Sequence, residues 1–334
     1  MVPAVGYGYD RRSQNHGMST DARHLVEGLV PSLRAACDNR LGDIDWFRAD
    51  WQRGGAATGT SVMADDRHGE VPVVVKLPIG LRELNWTCRL QNGDGSPGVI
   101  PRVYASGDAL GGYDFAWLVI ERFPFGPLGT TWDDAHIERV ADAAARFYDA
   151  ARNYPIDRVP LREDWHALAK QATESIRVND VAEKSFWKDG LKRFRKHLDG
   201  LLGLWYEHEP SEWIHGDLHL ANAMCRSEDA DDPVALIDLA EVRAGHWLED
   251  AVYLERQLWS RQERLTATKP VKAIAQARKR YGLDVAAEYP KLAMVRRALL
   301  AGSAPAFIRS EGQAEHFSAC LRHLNVSLDG LGMK

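Results

Sequence analysis

Residues 213–255, WIHGDLHLANAMCRSEDADDPVALIDLAEVRAGHWLEDAVYLE, decide how the rest of the chain is read. The apolar segments SEWIHGD (211–217) and PVALIDL (233–239) each predict a strand, with the acidic turn SEDADD (227–232) as the solvated tip of a hairpin between them. Asp217 closes the first segment, Asp238 ends the second apolar run, and Asn222 lies five residues after Asp217. Phosphoryl transfer asks little covalent chemistry of a protein. It needs a carboxylate to orient the attacking hydroxyl and oxygen ligands to hold magnesium on the phosphates. Asp217, Asn222 and Asp238 can supply both, and because magnesium keeps its waters and phosphate oxygens, Asn222 with Asp238 suffices as the protein's share. The string His215-x-Asp217-x-His219 admits another reading. On a strand, alternate residues share a face, which would gather the three as a metallohydrolase ligand set. That reading leaves Asn222, Asp238 and Asp250 without a role.

Towards the N-terminus the hydrophobic period changes twice. Leu25, Val26, Leu29, Val30 and Leu33 recur at helical spacing after a capping Ser19 or Thr20, and Pro31 predicts a break or kink. IDWFRADW (44–51) and VPVVVKLP (71–78) read as strand-forming, with the small, flexible GGAATGT (54–60) as a turn; two strands flank that turn and a third carries Lys76. RELNWTCRLQ (82–91) predicts a short helix, NGDGSPG (92–98) a loop, and VIPRVYA and FAWLVIERF two further strands. Residues 20–122 therefore form an expected β-rich lobe with a leading helix, preceded by a polar tail over 1–19.

From 123 to 334 the helical period dominates. Ile137, Val140, Ala144, Phe147 and Ala151 share one face, and more helices are expected between Trp165 and Tyr206. KPVKAIAQARKR (269–280) alternates charge with Val271, Ile274 and Ala277, as an amphipathic helix with a solvated basic face does; nucleic-acid binding is the less economical reading. Trp165, Trp187, Trp247 and Trp259 could stack on a sugar or enclose a cation, but core packing is their simpler use.

Composition bounds these readings. Of 334 residues, 45% are apolar, enough for a substantial core, while 27% are charged and no apolar run reaches the roughly 18 residues of a membrane span. A soluble protein is expected, with no membrane or obligate protein partner. The first 18 residues lack the apolar stretch of a secretory signal, and Cys37, Cys88, Cys225 and Cys320 show neither disulfide nor zinc spacing, so the expected compartment is the cytoplasm.

HGDLHLAN (215–222) matches H-G-D-x-x-x-x-N, and in this the chain resembles the aminoglycoside phosphotransferase family, grouped with choline kinases and other small-molecule kinases in the protein-kinase-like fold. The resemblance covers residues from about 41 to 258 and implies an α+β, two-lobed fold. It also implies ATP and Mg2+ as cofactors and a small-molecule hydroxyl acceptor. Asp217 would be the catalytic base, with His215 in the same motif; Asp250 would brace the catalytic loop, and Asn222 with Asp238 would hold the metal. Lys76, on the third strand, would contact the nucleotide's phosphates and pair with Glu83. An edge-strand solubilising charge is the plainer alternative for Lys76. Gly54 and Gly55, with Gly59, would let a loop lie over the phosphates, and the backbone around Glu121 and Phe123 would meet the adenine edge.

The chain departs from the family pattern in places. Leu220-Ala221 replaces a frequent Pro-Gly, Leu239-Ala240 an aromatic-acidic pair, and Phe147-Tyr148 a common Leu-His; none of these removes a liganding atom. Only eleven residues separate Asp238 from Asp250, too few for a protein kinase's activation segment, and HGD lacks the arginine of H-R-D. Both features favour a small acceptor. Residues 251–334 carry 14 Lys or Arg against 7 Asp or Glu, which leans away from a polycationic acceptor. A pseudokinase scaffold that binds nucleotide without turnover is the alternative function.

Overall fold

The computed structural model describes residues 20–48, 56–66, 69–93, 98–156, 162–207, 210–308 and 313–334. They group into two compact units, one running to Thr130 and taking in Ala221–Val242, the other made of Thr131–Leu220 and Arg243–Lys334.

The first unit is built on a five-stranded antiparallel sheet in the order β1-β2-β3-β5-β4, from β1 (Asp45–Arg48), β2 (Ala57–Asp65), β3 (Gly69–Ile79), β4 (Val103–Gly107) and β5 (Ala116–Glu121). Alternation along β3 sends Val73, Val75 and Leu77 to one face, where they bury against Leu29, Leu33 and Cys37 of the α1 region (α1, Thr20–Ala36) together with Met63, Trp117 and Val119. The opposite face takes Val74 and Lys76 and packs against α2 (Leu81–Arg89), whose Leu84 joins Leu118 and Ile120. Helix and lysine thus meet on one face because β-strand side chains repeat every two residues. A short hairpin, β7 (Ala223–Met224) with β8 (Ala235–Leu236), completes the unit, tied to it by the reciprocal Phe125–Cys225 bridge and by Leu236 N–H donating to Val99 O at 2.7 Å.

Three expectations change here. Helix α1 continues through Pro31 without a break. The turn expected over 54–60 ends earlier: residues 57–60 already pair with 74–77, so Gly59 sits inside β2, opposite Val75. A Cβ on Gly59 would come within 2.6 Å of Ile44 Cγ2 and 2.9 Å of Trp46 Cε3, so this glycine lies in a strand and lets β1 approach. The third change is in the pairing of 211–239. β6 (Glu212–Ile214) pairs with β9 (Arg243–Gly245), and β8 pairs with β7, so the two apolar segments belong to different sheets. The acidic residues 227–232 do cap a hairpin, that of β7 and β8, where Asp232 accepts the Arg226 and Ser227 N–H groups at 2.8 Å each.

The second unit is helical around β6 and β9. Its helices are α3 (Ala135–Ala151), α4 (Trp165–Val178), α5 (Lys184–Tyr206), α6 (Leu248–Arg256), α7 (Gln262–Ala267), α8 (Pro270–Arg280), α9 (Tyr289–Ser303) and α10 (Ala314–Gly330). All five residues of the expected α3 stripe are buried, as are Trp165, Trp187, Trp247 and Trp259, which places the four tryptophans in the core. On α8, Val271, Ile274 and Ala277 face inward, but Arg278 does too: it bonds Glu212 at 2.6 Å and lies 5.2 Å from the Trp247 ring. No helix among the described residues is long and apolar enough to cross a membrane.

Candidate active site

In the first unit, β3 is the central strand, with Lys76 opposite Thr58 on one side and Leu118 on the other, which rules out an edge-strand role. Lys76 Nζ bonds Glu83 Oε1 of α2, and both side chains are largely buried. The seven-residue connection is short enough because Gly80 leads straight from β3 into α2. Burial pushes the Glu83 carboxyl up; the Lys76 ammonium pulls it down, and Asp238 adds to the rise, which puts Asp238 within electrostatic reach of this pair. Asp238 itself follows β8 with φ 65 and ψ 68, a left-handed backbone that aspartate tolerates better than most residues. Its side chain is exposed, whereas Asn222 is buried and its backbone oxygen accepts Ile237 N–H at 3.0 Å. Arg82, beside Glu83, donates to Ala240 O at 3.2 Å and so ties α2 to the turn that follows Asp238. One amide and one carboxylate, both oxygen donors, form a set suited to magnesium, and among the described residues no three His, Cys, Asp or Glu groups gather as a softer metal's ligands would.

At the expected hinge, Glu121 is committed. Its carboxylate takes both Nε and Nη2 of Arg226, at 2.8 and 2.9 Å, and its N–H donates to Arg102 O at 2.8 Å. Phe123 is buried beneath the Arg226 guanidinium, 5.0 Å from its ring, and among the described residues its backbone N–H and C=O make no hydrogen bond. Gly54 and Gly55 lie outside the described residues.

In the second unit the loop after β6 is fixed from below by α6. Asp250, 1% exposed, accepts His215 N–H and Gly216 N–H at 2.8 Å each and the Tyr148 hydroxyl at 3.0 Å. Gly216 has φ 81, a left-handed conformation that a side chain would disfavour by roughly 1–2 kcal/mol, which explains the glycine of HGD. His215, fully buried against Phe147, accepts Asp217 N–H through Nδ1 at 3.3 Å. It shapes the loop from beneath. Burial alone would raise the Asp217 carboxyl, but hydrogen bonds from His219 and Tyr253 and the nearby histidine charges outweigh it and bring the group down to about 2. Arg243 of β9 reaches Gly216 O at 3.4 Å and Glu249 at 3.0 Å.

The second unit therefore brings together Asp217, His215 and Asp250, and the first brings Lys76 and Glu83 within reach of Asp238. Three residues that support the loop escape a reading of the motif: Tyr148, Arg243 and Tyr253. Only Tyr148 left a trace in the sequence, as half of the Phe147-Tyr148 departure from Leu-His; a phenol there still supplies a donor to Asp250.

Comparison with known proteins bears on the fold and the family. The chain is similar to an aminoglycoside phosphotransferase from Alicyclobacillus acidocaldarius (16% identity, 96% of this chain and 94% of the other covered, TM-score 0.58). It is similar also to a microcompartment-associated aminopropanol kinase (13%, 91% and 99%, 0.56). A third likeness is to spectinomycin phosphotransferase in complex with ADP and spectinomycin (12%, 92% and 95%, 0.52). At these identities the likeness establishes the protein-kinase-like α+β fold. No curated protein matches the sequence. The sequence model of the phosphotransferase enzyme family, however, matches residues 36–294, a span that holds every site residue described above, and the chain belongs to that family.

Proposed function

We propose that the protein transfers the γ-phosphate of ATP to a hydroxyl group of a small molecule, with Asp217 orienting that hydroxyl and taking its proton. The observation that carries this reading is the Asp217 carboxylate, kept ionised by His219 and Tyr253 on a loop that Asp250 holds rigid. A carboxylate with so low a pKa is a poor base towards an alcohol at rest, so its work is orientation first and proton acceptance late, as the bond to phosphorus forms. Asn222 and Asp238 would hold magnesium, which supplies neutralisation of charge on the phosphate oxygens. Lys76, steadied by Glu83, would contact the phosphates, Phe123 would offer its backbone to the adenine edge, and Gly54 and Gly55 would cover the phosphates. Glu121 would serve by locking the hinge through Arg226.

For the acceptor, four carboxylates of the helical unit weigh against a polycation. Glu163 and Glu249 are engaged by Arg296, Glu212 by Arg278, and Glu255 by Arg297. Acids already neutralised by guanidinium groups are poor hosts for ammonium groups, so a neutral or anionic hydroxyl compound fits better. The aminopropanol kinase is named for a small amino alcohol, much less charged than a polycationic aminoglycoside. A screen of hydroxylated metabolites and antibiotics for acceptor-dependent ADP release tests the proposal. Release with a neutral or anionic compound supports it. ATP binding with no turnover on any compound favours the scaffold reading, and efficient phosphorylation of kanamycin-like compounds overturns the acceptor class.

A further inference from the structure

The Asp217 carboxylate is gripped from two directions. His219, two residues along the same loop, brings Nε2 to 3.4 Å from Oδ2, and the Tyr253 hydroxyl donates to the carboxylate from α6. The two rings lean over it without stacking, their centroids 6.3 Å apart at 44°. Neither residue is specified by H-G-D-x-x-x-x-N: the motif as written leaves the position of His219 open, and Tyr253 lies outside it.

Tyr253 is three residues after Asp250, so the two share one face of α6. From that face Asp250 fixes the backbone at His215 and Gly216, and Tyr253 fixes the side chain of the next residue, Asp217. Glu249, one position earlier, steadies Arg243, which reaches Gly216 O. Backbone and carboxylate are thereby referenced to one rigid helix. Among the described residues, the charged and titratable groups shown near Asp217 are His215 and His219 from the loop and Tyr253 from α6, with Asp250 of α6 and Arg243 of β9 on the neighbouring Gly216. A carboxylate offers about four lone-pair sites, so two donors leave room for an acceptor hydroxyl. Its orientation matters, since a misplacement of about 1 Å can cost roughly 10²-fold in rate.

We propose that Tyr253 is a positioning residue of the transfer step, acting through Asp217: with His219 it holds the carboxylate in the orientation that presents its remaining lone pairs to the acceptor hydroxyl. This rests on the reading of Asp217 given above. The test is a double-mutant cycle on the basal hydrolysis of magnesium-ATP, with water in the acceptor's place. Tyr253→Phe keeps the ring and removes the donor. Because a hydrogen bond to a charged group is the one lost, kcat should fall about ten-fold or more while KM for ATP stays within about two-fold. In the Asp217→Asn background the same change should have almost no effect, whereas a residue that only supports the fold would lower both backgrounds equally. A second readout needs no turnover: with aspartate carboxyl carbons labelled by 13C, the Asp217 resonance should remain at its ionised position at about pH 4 in the wild type and move towards the protonated position in Tyr253→Phe. If hydrolysis is indifferent to Asp217→Asn, the proposed role of Asp217 fails; where hydrolysis is indifferent or absent, the resonance alone decides the role of Tyr253. Equal factors in the two backgrounds, or a resonance unmoved by Tyr253→Phe, overturns the positioning role.

Discussion

Asp250→Asn should destabilise the protein far more than the exchange of one atom suggests. The carboxylate accepts three hydrogen bonds, two converging on Oδ2, from His215 N–H and the Tyr148 hydroxyl, and one on Oδ1, from Gly216 N–H. An asparagine has one oxygen, which can retain at most the converging pair. Its NH2 group then faces the Gly216 N–H, donor against donor, in a site where the residue is 1% exposed. One charge-assisted bond is lost, worth about 1.5–3 kcal/mol, and a buried donor is left unsatisfied at a further cost of about 1–3 kcal/mol. The total is roughly 3–5 kcal/mol, and with an unfolding entropy of about 2.1 cal/mol/K per residue over 334 residues each kcal/mol moves the melting midpoint by about 1.5 °C. Thermal unfolding followed by circular dichroism should therefore show a drop on the order of 6 °C. Tyr148→Phe removes one donor and leaves the carboxylate with its two backbone partners, so its drop should be only about one or two degrees. If Asp250→Asn melted within about 2 °C of the wild type, or Tyr148→Phe cost as much as Asp250→Asn, the account of the loop's anchoring would be wrong.

Other consequences follow from charge. The Asp217 carboxyl is held at about 2 against an ordinary 3.8, so its contribution of about 2 kcal/mol is fully present above about pH 4 and lost as pH falls towards 2. The urea stability gap between wild type and Asp217→Asn should be open at about pH 5 and narrow as pH falls from about 4 towards 2; a gap unchanged over that acid range contradicts this. Burial takes His323, stacked 4.4 Å from Trp259, down from 6.5 to about 4. It folds neutral, so stability should fall as pH drops from about 6.5 towards 4, by roughly 2–3 kcal/mol, and His323→Phe should flatten that slope. An unchanged slope refutes it. Asp238→Ala should weaken magnesium-dependent ATP binding much more than it lowers the melting midpoint, which calorimetry beside a thermal melt would read; unchanged affinity removes Asp238 from the metal site.

What the sequence made legible was local. H-G-D-x-x-x-x-N, the Lys76 strand and the α3 stripe are patterns of spacing, and spacing survives in a string of letters. Pairing over distance does not. The strands at 212–214 and 243–245 are three residues each, too short for an alternation to register, so from spacing alone SEWIHGD pairs with the longer apolar run at 233–239 and not with its true partner. Glu121 shows the same limit: it reads as a hinge residue, yet its carboxylate belongs to Arg226, 105 positions away. Gly59 reads like Gly54 and Gly55 because glycine marks a turn and a close strand approach alike. Tyr253 was invisible because its relation to Asp217 runs through the helix that carries Asp250, and nothing in an isolated tyrosine announces that face.

The central claim is that Asp217 acts on the acceptor and does not hold the nucleotide. Its most direct test is phosphate transfer from ATP to an acceptor identified by screening, compared between wild type and Asp217→Asn, with ATP affinity measured in parallel. General-base assistance is typically worth about 10²–10⁴-fold, so turnover should fall by at least about 10²-fold while magnesium-dependent ATP affinity changes little. Turnover within a few-fold of wild type would contradict the assignment even with the fold intact.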